Sequence, residues 1–169
     1  MKQIDSLIRE FEHEAKTTRK HLERLPEDKL DWRPHEKSFT TGALASHMTE
    51  MLGWADAILN QDGLDFDPAT YKPYLATSLA DLIKTFDDNV AKGKQDLAGA
   101  TDEILEQPWS LKIKGKVWFE KPKADVFRDL ALSHIIHHRG QLSVYLRLLN
   151  VPVPGSYGPS ADEQPPAGM

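Results

Sequence analysis

The stretch "ADVFRDLALSHIIHHRGQLSVYLRLLN", residues 124–150, has the apolar periodicity of a helix that is buried on one face. It also holds three of the seven histidines in the chain. On a helix that turns ~100° per residue, His134 and His138 lie in the middle of the apolar face, and His137 lies at its edge. Asn150 and the prolines after it end the pattern. The spacing therefore predicts a helix from about residue 124 to residue 149.

Three earlier segments show the same helical period. Thr40 or Thr41 is a suitable N-cap for the second segment, and Ser78 with Asp81 forms an approximate capping box for the third. Four amphipathic helices in one chain predict an all-α fold, with a four-helix bundle as the architecture. The expected inward-facing residues are Ile4, Leu7, Ile8, Phe11, Ala15, Thr18 and Leu22 in the first helix; Leu44, His47, Met48, Met51, Ala55 and Ile58 in the second; and Leu79, Leu82, Ile83, Phe86, Val90, Gly93 and Leu97 in the third.

The remaining segments have the composition of loops and turns. The segment "NQDGLDFDPATYKPY", residues 60–74, is predicted to be a loop. In "WSLKIKGKVWF", residues 109–119, apolar residues alternate around Lys114-Gly115, which predicts either a short β-hairpin or an extended loop. Residues 151–169 include five prolines and are expected to form an extended tail. We predict a single domain over residues 1–169.

Composition excludes several classes of function. A net charge of −5 without a long basic run argues against a nucleic-acid partner. The chain has no cysteine, so disulfides, zinc–thiolate sites and a thiol nucleophile of its own are excluded. The charged N-terminus does not resemble a signal peptide, and no apolar run approaches the ~20 residues of a membrane span. We therefore expect a cytoplasmic protein that does not bind membranes.

The histidines indicate a metal site. His134 and His138 are four residues apart on one helix face, so both imidazoles can point at the same ion. His47 lies on the apolar face of the second helix and is the natural third ligand. Three neutral ligands that leave an open coordination position are typical of catalytic sites. The alternative is that these are core histidines satisfied by hydrogen bonds. His13 and His21 fall off their apolar stripe and are expected to be solvated.

Four neighbours of these histidines have less specific roles. Arg139 lies off the metal face, which favours a salt bridge or a tail contact over catalysis. Gly140 is expected to allow close approach of a helix or of the tail. Gln141 either orients a histidine or is a satisfied core amide, and for His137 we favour a structural role over substrate binding.

Three stretches together resemble the DinB-like family of bacterial helical-bundle proteins. They are "DWRPHEKSFTTGALASHM" (31–48), "HIIHHRGQLSVYLRLLNVPVP" (134–154) and "GSYGPSADE" (155–163). The family pattern, one histidine on the second helix and H-x3-H on the last, falls on His47, in the first of these stretches, and on the two histidines of the last helix. The resemblance implies a divalent metal, zinc or nickel, with water in its open positions, and a homodimer.

The resemblance also implies a reaction class. Some relatives are transferases or isomerases that use a low-molecular-weight thiol such as bacillithiol, mycothiol or glutathione. A metal-dependent transferase acting on a small-molecule electrophile is therefore our leading hypothesis. A metal-dependent hydrolase is the alternative among enzymes. A non-catalytic stress protein that binds metal or a small molecule, and a bundle without metal, are the alternatives outside enzymes. No segment identifies one particular thiol.

The outer side of the last helix carries apolar residues that need a cover. On a continuous helix Leu132 and Ile136 fall opposite His134, and Ile135 flanks them. Either the loops and the tail cover this patch, or it forms the two-fold seam of a homodimer. We expect the seam.

Overall fold

The computed structural model describes residues 2–164, which are mostly helical and include one small sheet. A 3-10 turn covers Glu27–Lys29, and a π-helical segment, Arg128–Ser133, joins the last two α-helices. The α-helices are α1 (Gln3–Leu22), α2 (Thr41–Gly53), α3 (Ala55–Leu59), α4 (Leu79–Gly99), α5 (Asp102–Leu105), α6 (Lys123–Phe127) and α7 (His134–Leu148), and the strands are β1 (Gly63–Phe66), β2 (Pro108–Ile113) and β3 (Lys116–Pro122).

The helix starts follow the predicted caps. The Thr40 side chain accepts a hydrogen bond from the backbone N–H of Ala43, and the Ser78 side chain accepts one from that of Asp81. Each bond satisfies one of the amide groups that a helix N-terminus leaves free. The prediction of an all-α fold is confirmed only in part, because the described residues are mostly helical but also form a three-stranded sheet. The predicted second helix is divided at Trp54, however, and the predicted fourth helix contains the π-helical segment.

The long helices surround a common core. α1 and α2 each pack against α4 and against α7. Gly93 of α4 lies close to α1 and α2, because a Cβ there would come within 2.7 Å of the Phe11 ring and 3.2 Å of the Leu52 carbonyl oxygen. No helix of the described residues 2–164 is long and apolar enough to cross a membrane.

The predicted hairpin is present, and the sheet has a third strand. β2 and β3 are antiparallel around Lys114 and Gly115, whose φ angles of 51° and 78° are those of a tight hairpin turn. β1 pairs with β2 in parallel. β1 lies inside residues 60–74, which were predicted to be a loop. That prediction was wrong for residues 63–66, because a short strand beside glycine and aspartate has too little pattern to be distinguished from a turn. The Trp109 indole N–H donates to the Ala57 carbonyl and ties the sheet to α3.

The predicted homodimer seam is wrong, because the chain itself covers these residues. Leu132 and Ile135 are buried, and Ile136 is partly buried against the core. Leu132 lies in the π-helical segment, where the wider turn breaks the constant ~100° step that was used to place it. Beyond this segment α7 packs against both α1 and α2, so its buried face is wider than a single stripe.

Two smaller predictions are also wrong. Gly140 is exposed, and a Cβ there would meet nothing within 4 Å, so no helix or tail approaches it. His21 is fully buried instead of solvated. Its Nδ1 lies 3.0 Å from the Thr17 carbonyl oxygen, and its Nε2 lies 3.4 Å from the Ser156 hydroxyl oxygen in the tail. Because the tail covers this side of α1, a position outside the apolar stripe becomes interior.

A buried ion pair joins α1 to α7, and the tail is hydrogen-bonded to it. Residues 151–164 contain no helix or strand; residues 165–169 of the predicted extended tail lie outside the described residues. The Arg139 guanidinium is 2.7 Å from the Glu14 carboxylate, with both side chains almost completely buried. The Tyr157 hydroxyl donates to Glu14 and accepts from Arg139. The prediction that Arg139 makes a salt bridge or a tail contact is therefore confirmed on both counts.

Loss of this ion pair should strongly destabilise the fold. We expect Arg139→Met to lower the free energy of unfolding of the metal-free protein by roughly 3–5 kcal/mol, because the Glu14 carboxylate remains buried without its cation. Urea denaturation followed by circular dichroism measures the change. Arg128→Met, which breaks the more exposed pair with Glu10 at 3.5 Å, should cost no more than about 1 kcal/mol. Equal losses in the two variants would contradict this account.

Candidate metal centre

Two helices bring the three predicted ligands together. His47 lies in the middle of α2, His134 is the first residue of α7, and His138 follows one turn later. The ring centroids of His47 are 5.2 Å from His134 and 5.0 Å from His138, and the last two are 4.7 Å apart. One nitrogen of each ring lies within 4.8 Å of the other two. The predicted set is therefore a real spatial cluster that could hold one metal ion.

The environment keeps these imidazoles neutral. Burial is the largest cause that lowers the pKa of each of them, and for His134 burial, helped by the neighbouring rings of His138 and His47, lowers the pKa to about 4. A neutral imidazole offers a free lone pair, which is the form that binds metal. The cluster therefore needs no deprotonation to bind a cation at neutral pH.

Two of the rings have a fixed partner for their second nitrogen. His138 Nδ1 lies 2.7 Å from the amide oxygen of Gln141, so the ring donates there and leaves Nε2 free. The same amide lies 3.1 Å from His137 Nε2. His134 makes a hydrogen bond to the backbone of Leu130, in the π-helical segment. Partners of this kind fix the tautomer and the direction of a ligating imidazole.

The third ring faces a carboxylate. His47 Nδ1 is 3.9 Å from Glu50 Oε2, and the Glu50 side chain is only 17% exposed. This carboxylate accepts hydrogen bonds from the Tyr71 hydroxyl at 3.0 Å and from the Tyr74 backbone N–H at 2.8 Å. Burial, followed by the bond to Glu50, raises the pKa of Tyr71 to about 12, so its hydroxyl remains a donor.

Aromatic rings border the cluster. The Phe39 ring centroid is 6.0 Å from that of His47 and 6.4 Å from that of His138, and Phe39 is 52% exposed. The Trp54 ring lies 6.1 Å from both His47 and His134. An exposed aromatic ring beside half-buried histidines gives a small organic molecule apolar surface next to the ligand atoms.

The other histidines do not join the cluster. His137 is exposed, and its ring centroid is 5.0 Å from that of His138, which places it at the border. His13 is exposed as predicted and stacks on Tyr157, and His35 lies in the connection before α2. His21 is in the tail contact described above. Three of the seven histidines thus form the candidate metal-ligand set, and the other four lie outside it.

Sequence reasoning missed Glu50, Trp54 and Phe39 as neighbours of the site. Glu50 and Trp54 follow His47 at spacings of three and seven residues, which places them on the same side of the helix. This spacing could have identified both residues as neighbours of His47 from the sequence. Phe39 precedes the helix in a loop, and its position depends on tertiary contacts such as the bond from the Tyr145 hydroxyl to its carbonyl oxygen.

The donor set fits a divalent transition metal. Imidazole nitrogen suits zinc and nickel, whereas calcium and magnesium prefer oxygen. The cluster contains three neutral nitrogen donors and no thiolate or carboxylate among its direct members. Three protein ligands leave a coordination position for water or substrate, as in catalytic zinc sites. Fold and site together define a mostly helical protein with a group of three histidines that could hold a metal ion.

The chain belongs to the DinB family, whose model matches residues 1–167. It is 26% identical over 171 residues to the uncharacterized protein YrdA of Bacillus subtilis (strain 168), covering 98% of this chain and 95% of that protein. It is similar in fold to the crystal structure of a DinB-like protein from Bacillus cereus ATCC 10987, with a TM-score of 0.72, 22% identity, and coverage of 93% of this chain and 100% of the other. A DinB-like protein of B. subtilis, YjoA, gives a TM-score of 0.69 at 20% identity, covering 94% and 98% of the two chains.

The lowered pKa of His134 predicts a dependence of stability on pH in the metal-free protein. Its pKa is about 4 in the folded state and 6.5 in its ordinary state. As pH falls, His134 of the unfolded chain therefore takes up a proton near pH ~6.5, whereas His134 of the folded chain takes one up only near pH ~4. The free energy of unfolding decreases as pH falls between these two values. His134→Gln should show a smaller decrease between about pH 7 and about pH 5 in urea titrations.

The control for this experiment is His35→Gln, a change in the exposed connection that leaves the cluster intact. It should show the wild-type decrease. If His134→Gln also shows the wild-type decrease, the pKa of His134 is not lowered in the folded state.

Proposed function

We propose that this protein is a metal-dependent enzyme in which His47, His134 and His138 hold zinc or nickel, and in which a low-molecular-weight thiol attacks a small electrophilic substrate. The observation that carries the proposal is the cluster of three imidazole nitrogens within 4.8 Å. A divalent metal at this position would lower the pKa of a bound thiol or water. The lack of cysteine means that any thiol must come from a cosubstrate.

The chain contributes the surroundings of the reaction. Three neutral ligands leave the positive charge of the ion uncompensated, which favours an anionic thiolate beside it. Phe39 and Trp54 give the electrophile apolar surface. In the transfer, the thiol loses its proton to solvent, its sulfur bonds to the electrophilic carbon, and the leaving group departs with the electrons of the broken bond.

Two structural predictions belong to the same proposal. We describe the long helical segments as a four-helix bundle in one domain, which is supported by the packing of α1 and α2 against both α4 and α7. A homodimer remains a prediction of the family resemblance, with an interface other than Leu132 and Ile136. Sedimentation velocity at tens of micromolar should show a species of twice the monomer mass, and a monomer at that concentration would rule out the homodimer.

Metal binding is the first test of the proposal. We expect stripped wild-type protein to bind about one equivalent of zinc, and His47→Ala and His134→Ala to lose this binding while their circular dichroism remains helical. His13→Ala, on the exposed side of α1, is the matched control and should bind like the wild type. Less than about half an equivalent of zinc or nickel in the wild type would contradict the metal centre.

Turnover is the second test. Zinc-loaded protein should convert an aryl halide only when bacillithiol, mycothiol or glutathione is present, and mass spectrometry should find the thioether product. Hydrolysis of an ester without a thiol would favour the metal-dependent hydrolase. Metal binding without turnover of either kind would favour a non-catalytic protein that binds metal or a small molecule.

A further inference from the structure

Glu50 is a carboxylate that the metal ligands do not use directly. It is the fourth residue of a segment that begins at His47, so the two side chains share one side of α2. Its oxygens lie outside the group of nitrogens that could reach one ion. Even so, its side chain is 17% exposed and reaches within 3.9 Å of His47 Nδ1. A carboxylate that is largely buried needs hydrogen-bond donors or a cation close by.

The donors that hold Glu50 come from a loop and not from its own helix. The Tyr71 hydroxyl donates to Oε2, and the Tyr74 backbone N–H donates to Oε1. Tyr74 is fixed in turn, because its hydroxyl bonds to Asp81 and Thr85 of α4. The loop therefore places the carboxylate beside His47 from outside α2. Both donors are neutral, so they leave the negative charge of Glu50 uncompensated.

The three imidazoles then form a consistent pattern. His138 Nδ1 has the Gln141 amide oxygen as its partner, and His134 has the backbone of Leu130. For His47 the partner of this kind among the described contacts is Glu50, whose Oε2 lies 3.9 Å from Nδ1. When Nε2 of a histidine binds metal, the hydrogen is on Nδ1 and can be donated to such an acceptor. A shift of about one ångström would bring the two atoms into hydrogen-bond distance.

We propose that Glu50 is the positioning residue of His47: it accepts the Nδ1 hydrogen and so fixes the ring and strengthens Nε2 as a ligand. Through Tyr71 and Tyr74, Glu50 also links the loop of residues 67–78 to the metal centre. The inference rests on the proposed metal site but not on the proposed thiol reaction. It assigns to Glu50 a role in metal affinity and none in direct ligation.

Zinc affinity of Glu50→Gln tests the inference. Glutamine has one acceptor oxygen where the carboxylate has two, and it has no charge, so it can still accept from the loop but is a weaker acceptor for the imidazole. We expect the zinc dissociation constant to increase about 10–100-fold in competition titrations with a chromophoric chelator. Glu106→Gln, an exposed glutamate at the end of α5, is the matched control and should leave the constant unchanged.

A second variant separates orientation of the ring from loss of loop structure. Tyr71→Phe removes one loop contact of Glu50 but keeps the carboxylate beside His47. Its zinc dissociation constant should stay within about threefold of the wild-type value. This change is well below the increase expected when a ligating histidine loses its hydrogen-bond acceptor. If Tyr71→Phe weakens binding as much as Glu50→Gln, the effect comes from the loop and the inference is wrong.

The Nδ1 proton of His47 provides a spectroscopic signature. In zinc-loaded protein labelled with ¹⁵N-histidine, the Nδ1–H resonance of His47 should move upfield in Glu50→Gln, while those of His134 and His138 remain in place. An unmoved resonance or an unchanged zinc constant would overturn the role of Glu50, with the metal site intact. Failure of the wild type to bind zinc would instead overturn the proposed function.

Discussion

The rotational setting of α7 is the constraint on which the rest of the structure depends. His138 and Arg139 are consecutive and both buried, although side chains of neighbouring residues on a helix point ~100° apart. One therefore faces α2, and the other faces α1 and the tail. Rotation of α7 would separate Arg139 from Glu14 and leave buried charge without a partner, which is among the most costly changes in a protein interior. The ion pair thereby fixes the direction in which His134 and His138 point.

The histidine cluster, unlike the ion pair, consists of neutral side chains. Its rings are buried (His138) or half-buried (His47 and His134), neutral and close to one another, and burial is the largest cause that lowers the pKa of all three. A bound cation would occupy the free lone pairs of these neutral rings, and Glu50 would accept the Nδ1 hydrogen of His47. With a divalent ion bound, the three neutral ligands would leave its charge intact, and Glu50 would be a nearby carboxylate that offsets part of it.

The sequence predicted the elements with local causes and missed those with tertiary ones. The caps at Thr40 and Ser78 and the hairpin turn at Lys114-Gly115 depend on a few adjacent residues, and all are present. The histidine set follows from helical spacing alone, and the structure brings it together. β1 and the burial of His21 depend on contacts with residues far along the chain, which periodicity does not contain. A constant turn of ~100° per residue gave Leu132 the wrong direction, because nothing in the sequence marks the π-helical segment.

The three stretches that carry the family resemblance meet at α7. Residues 31–48 supply Phe39 and His47 to one side of this helix, and residues 155–163 supply Tyr157 to the other. The short tail motif thus acts together with the candidate metal ligands, because Tyr157 hydrogen-bonds to the ion pair that fixes the rotation of α7. This explains how motifs far apart in the chain can identify a family whose helices are otherwise generic. The amphipathic faces need only be apolar, whereas the residues on the two sides of α7 need a particular charge, length and hydrogen-bonding capacity.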